Sequence, residues 1–138
     1  MNGKTHHKQD KHASDTSEYE EYLKNNVEAI LDFKTTDKLE ELLNNLESYV
    51  RCKGEGISTH QLRNIFSIVK RAKTRQELQL IRPKLAYVGA RQNNTNAKEF
   101  VGLIEEIVKK VTDDNHVKNF IAFFEAIVAY HKFHQDKK

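Results

Sequence analysis

From Tyr19 to Val128 the apolar residues of this chain recur at intervals of three and four, and only one proline and five glycines punctuate all 138 residues. That spacing is the period of the α-helix, which turns once every 3.6 residues. No stretch keeps up the alternation that a half-buried strand requires. The chain therefore reads as all-α, a compact bundle of about five to six helices.

Polar start signals divide the periodic stretch. Ser17 and Glu20 have the spacing of a capping box, ahead of a face made by Tyr19, Leu23, Val27, Ile30 and Leu31. Thr35 or Thr36 is placed to cap a second helix, whose stripe is Leu39, Leu42, Leu43, Leu46, Tyr49 and Val50. Gly54 and Gly56 in KGEG end it. Ser58 and Gln61 form the cleanest box, with Ile57 before the cap ready to staple against Leu62. In the helix that follows, Leu62, Ile65, Phe66, Val69 and Ala72 share one face, and His60, Arg63, Ser67, Lys70 and Arg71 share the other. Thr74 and Glu77 open a fourth helix, which is expected to kink or restart at Pro83. Asn96 and Glu99 are expected to begin a fifth, with Phe100, Leu103, Ile104, Ile107, Val108 and Val111. Asp113 or Asp114 caps the last, with Val117, Phe120, Ile121, Phe124, Ile127 and Val128. Phe123 and Tyr130 widen its apolar arc, which suits a central helix.

Residues 1–16 are polar and His-rich, with almost nothing to bury. They read as a disordered tail, and 17–138 as a single helical domain. The tail has no apolar central region and does not read as a secretory signal. Its His6, His7 and His12 would meet a metal only adventitiously. No apolar run approaches the roughly 20 residues of a membrane span. The lone Cys52 excludes an internal disulfide and suits a reducing cytoplasm.

The net charge of +3 conceals an uneven distribution. Between Arg51 and Arg91 lie ten basic residues and two acidic ones, Glu55 and Glu77, a segment charge of +8. The rest of the chain holds 13 basic and 18 acidic residues, which leaves −5. Such a block points to a polyanionic partner. Cations with few acids between them suit phosphate contacts, which give affinity and position without reading sequence. The candidates are Lys53, Arg63, Lys70, Arg71, Arg75, Arg82, Lys84 and Arg91. Base recognition would also need exposed aromatic rings. Phe66 lies on a core face, and Tyr87 is expected to pack with Leu85 and Ala86 against the third helix, the one that Ser58 opens. A membrane surface would need a free apolar face, and here the core takes it.

Catalytic constellations are missing. KGEG is too short for a phosphate loop and follows no strand. Cys52 has no partner at metal-ligand spacing, and Asp113 and Asp114 are explained by helix capping. Neither metal nor cofactor is expected. His116, His131 and His134 keep open a small helical ribonuclease, although no arginine follows Arg91 to pair with them. A protein adaptor whose basic face docks an acidic partner is the third reading.

The stretch ISTHQLRNIFSIVKRAKT, followed by IRPKLAYVGARQ, resembles the small subunit of type III-A CRISPR effector (Csm) complexes. Thr59 or Ser58 with Gln61, Leu62 and Arg63 matches one family motif, and Pro83, Lys84, Leu85, Ala86, Tyr87 and Arg91 match a second. The resemblance implies a non-catalytic subunit of antiviral defence, stacked in several copies. Its neighbours would be other copies of itself, the large polymerase-like subunit and the backbone subunits that carry the crRNA. Its basic face would contact the phosphate backbone of the crRNA–target RNA duplex. Arg82, Lys84 and Arg91 would then extend the strip begun by Arg63, Lys70 and Arg71, unless some of them bond acids of the next copy.

Overall fold

A computed structural model describes residues 17–136. The tail over 1–16, with His6, His7 and His12, lies outside them. The described residues form seven α-helices and one 3-10 turn, with no strand among them.

α1 spans residues 17–25. It is shorter than the period of its apolar residues implies. The Asn26 amide donates to the Tyr22 carbonyl at 2.8 Å, offering the backbone an alternative to the helix. α2, Val27–Ile30, is a single turn beyond the break, and turns continue to residue 35. Lys34 N–H donates to Asn119 Oδ1 at 2.7 Å, which ties this corner to the last helix. α3, Leu39–Lys53, begins later than a cap at Thr35 or Thr36 would place it. The Thr36 hydroxyl instead accepts from Lys38 N–H, 3.2 Å away, before the helix begins.

Two expected capping boxes, at Ser58 and at Thr74, are in place. Ser58 Oγ accepts from Gln61 N–H at 3.0 Å and Gln61 Oε1 accepts from Ser58 N–H at 3.2 Å, opening α4, Thr59–Val69. Thr74 and Glu77 exchange the same pair of bonds at the head of α5, Arg75–Ala90. α5 runs unbroken through Pro83, so no new helix starts there. Proline removes one intrahelical bond, and the exposed ring lies on the solvent side. α6, Thr95–Lys109, is capped by Asn94 and not by Asn96: Asn94 Oδ1 accepts from Asn96 N–H at 2.8 Å and from Ala97 N–H at 3.2 Å. α7, Asp114–Asp136, has Asp113 Oδ1 accepting from His116 N–H at 2.8 Å.

α7 is the central helix. It packs against α2, α3, α4, α5 and the 3-10 turn Gly54–Gly56, while α6 packs chiefly on α5. Phe120, Phe123 and Phe124 are fully buried. Phe124 meets the rings of Phe66, Phe100 and Phe120 with centroids 5.6, 6.2 and 6.1 Å apart. Such pairs add to what burial alone contributes. Leu42, Leu46, Leu62, Leu78, Ile104 and Val108 complete one continuous hydrophobic cluster.

His131 of α7 reaches the corner between α3 and α4. Its Nε2 lies 3.0 Å from the Gly54 carbonyl and 2.8 Å from that of Ile57 and donates to them, and the Gly54 carbonyl also accepts from Ile57 N–H at 3.1 Å. A Cβ at Gly54 would lie 2.9 Å from the ring. One at Gly56 would collide with the Asn94 side chain that caps α6. The two glycines are there because neighbours approach their backbone this closely.

Candidate nucleic-acid interface

The capping box at Ser58 fixes the phase of α4, and the phase sorts its residues. Leu62, Ile65 and Val69 are buried, while His60, Arg63, Ser67, Lys70 and Arg71 are exposed. The Lys70 ammonium lies 5.7 Å from the Phe66 ring centroid, on the solvent side of that half-buried side chain. Among the described residues, no carboxylate pairs with Arg63, Lys70, Arg71 or Lys84. Their charge is therefore neutralised only by solvent ions, the condition under which a polyanion gains by displacing them.

The remaining candidates differ. Lys53 is 7% exposed, and its ammonium is held by the Glu99 carboxylate, with Glu20 3.8 Å away. It neutralises acids of the protein itself and does not stand with the surface cations. Arg75 is exposed but anchored. Its N–H donates to Asp114 Oδ1 at 2.8 Å and its Nε to the Val111 carbonyl at 3.1 Å, joining the head of α5 to the turn before α7. Arg82 is half-buried, donating to Gln79 Oε1 at 3.2 Å with Nε 4.0 Å from Glu105. Because α5 does not break at Pro83, Arg82 lies on the opposite side of the helix from Lys84 and Arg91. The three do not continue one strip.

The unbroken phase also moves Tyr87. Counting about 100° per residue, Leu85 and Val88 return to the side of Leu78, whereas Leu80, Lys84, Tyr87 and Arg91 fall within about 60° of one another on the far side. Leu80 is 67% exposed and Tyr87 62%. Tyr87 is not a core residue, contrary to the sequence expectation. The Arg91 guanidinium lies over its ring, 5.4 Å from the centroid, and donates to its hydroxyl at 3.2 Å. Sequence reasoning missed this pair because it let Pro83 reset the helix. The i, i+4 spacing of Tyr87 and Arg91 was the available signal.

The three histidines do not assemble. His116 and His131 lie fifteen residues apart on one helix, which at about 1.5 Å per residue is about 22 Å. His116 Nδ1 accepts from Thr112 N–H at 3.1 Å, His131 is buried against backbone carbonyls, and His134 Nε2 lies 3.2 Å from Glu47. Each has a local structural task. Asp113 and Asp114 accept from backbone N–H groups. No cluster of three His, Cys, Asp or Glu placed to hold a metal ion occurs among the described residues. None of the helices is long and apolar enough to cross a membrane.

The family model Csm2 Type III-A matches residues 36–137, a span that begins just before α3 and takes in every helix after it. No curated protein and no solved structure matches the chain.

Proposed function

Because the chain belongs to the Csm2 Type III-A family, a small structural subunit of the type III-A CRISPR complex, we propose that it binds RNA there through phosphate contacts and performs no catalysis. The observation that carries this reading is the set of exposed cations Arg63, Lys70, Arg71 and Lys84 without carboxylate partners. Arg91 belongs with them, and Arg75 contributes from its anchored position. Arg82 and Lys53 are committed to neighbouring acids and contribute less. The RNA is the crRNA–target duplex. Copies of the subunit stack beside the large polymerase-like subunit and the backbone subunits, using in part the acids that give the rest of the sequence its −5.

Fluorescence anisotropy of the purified protein with labelled single-stranded RNA and with a crRNA–target duplex, at several salt concentrations, tests this. If about four phosphates are neutralised, log K for the single strand falls with log salt at a slope near −3. RNA recovered cut would favour a ribonuclease. No binding at low salt would assign the cations to an acidic protein surface.

A further inference from the structure

The exposed side of α5 carries a ring that phosphate binding does not explain. Tyr87 stands 62% exposed in a chain whose other aromatic side chains, Phe133 excepted, are buried or half-buried. It is also braced by a neighbour. Arg91, one helical turn on, covers part of the ring and donates to the hydroxyl. An aromatic side chain braced in this way loses little conformational entropy when a second flat group packs on it. Lys84 and Arg91 flank it, and from Leu78 to Arg91 the helix has no acidic residue. A planar ring among cations suits a planar group that comes attached to a phosphate.

We propose that Tyr87 and Arg91 form a stacking site for one unpaired nucleobase of the bound RNA, with Leu80 extending its apolar floor along the helix. The site rests on the RNA-binding reading above and deepens it. The cations hold the backbone, and the Tyr87–Arg91 pair takes a base that has left its stack. The base is unpaired because both faces of a base inside a helix are already covered. Stacking on a ring is indifferent to base identity, so the site adds affinity with little sequence preference.

The test compares the full chain with Tyr87→Leu and Tyr87→Phe. The probes are oligouridylate, an abasic ribose-phosphate strand of equal length, and a blunt duplex. Tyr87→Leu is expected to weaken oligouridylate binding about tenfold, the effect of losing one base–aromatic stack, with the salt slope unchanged. Tyr87→Phe keeps binding within about twofold, since the ring face persists. On the abasic strand and the duplex, wild type and Tyr87→Leu bind alike. Equal binding of oligouridylate by wild type and Tyr87→Leu overturns the proposal and leaves phosphate binding standing. A loss that also appears on the abasic strand, or that lowers the salt slope, overturns it too, because Tyr87 would then act by positioning Arg91. A Tyr87→Leu chain that binds RNA normally but no longer joins the other subunits of the complex overturns it in favour of a protein contact. Failure of the wild type to bind any RNA removes both readings.

Discussion

Tyr49 is fully buried against Phe100, and among the described residues its hydroxyl has no hydrogen-bond partner. A buried polar atom without a partner costs about 1–3 kcal/mol. Tyr49→Phe removes the atom and keeps the ring, so the variant should melt several degrees above wild type by calorimetry or circular dichroism. Tyr49 also sets an alkaline limit together with Tyr22. Burial raises the Tyr49 phenol far above the usual tyrosine range, and nearby Glu20 and Glu99 add to it. Burial, and then the hydrogen bond to Glu41, raises Tyr22 from 10.0 to about 12. The fold favours the protonated phenol in both cases. Their contribution is therefore complete below about pH 10 and declines above it, that of Tyr22 being lost as pH climbs through about 12 and that of Tyr49 at still higher pH. A melting temperature that is level to about pH 10 and then drops is the expected profile, with a shallower drop in Tyr49→Phe. At this scale the sequence announces that Tyr49 is buried, through its place in the α3 stripe, but not that its hydroxyl lacks a partner. Nor does it announce that Lys53 is an internal counter-ion. That depends on Glu99, 46 positions away and brought close only by folding.

The helices show which kinds of local signal can be trusted. The boxes at Ser58 and Thr74 are complete within four residues, so the sequence determines them and the structure repeats them. The α6 cap differs because Asn94, lying in the loop, accepts two N–H bonds that a box starting at Asn96 would not supply. Pro83 misleads for another reason. Its missing N–H costs one bond, but α5 is held along its length by α6, and tertiary packing outweighs a local breaker. The phase of the helix survives, and Tyr87, Arg82 and Lys84 all fall where an uninterrupted helix puts them. The cap of α6 supplies a test at this scale. Gly56→Ala places a methyl against the Asn94 carboxamide, whose Cγ would be 2.8 Å from the new carbon. The amide must then leave the α6 terminus. The expected cost is about 1–2 kcal/mol in urea unfolding, with an unchanged m-value.

Across the whole molecule, the charges separate into those that hold the protein together and those that do not. Lys70→Glu with Arg71→Glu alters two exposed residues without ion-pair partners, so stability should shift by no more than about 0.5 kcal/mol while RNA affinity drops at least tenfold. Lys53→Met does the reverse. It leaves Glu20 and Glu99 without their shared cation in a partly solvated site, at a cost of about 1–2 kcal/mol, and should leave RNA affinity within about twofold. Paired melting and anisotropy measurements on both variants check the separation. If Lys53→Met weakens RNA binding as strongly as the double variant, the division is wrong. The excess of positive charge over 51–91 is visible in the sequence, but which cations remain unpaired depends on acids from α1 and α6. The hold of His131 on the Gly54 and Ile57 carbonyls has a further consequence, in the order of synthesis. The donor is encoded 77 residues after Gly54. At about 5–20 residues per second, the ribosome takes about 4–15 s to cover that distance. Throughout that interval the nascent corner between α3 and α4 lacks its His131 donor, and the Ile57 carbonyl relies on water until α7 has been made.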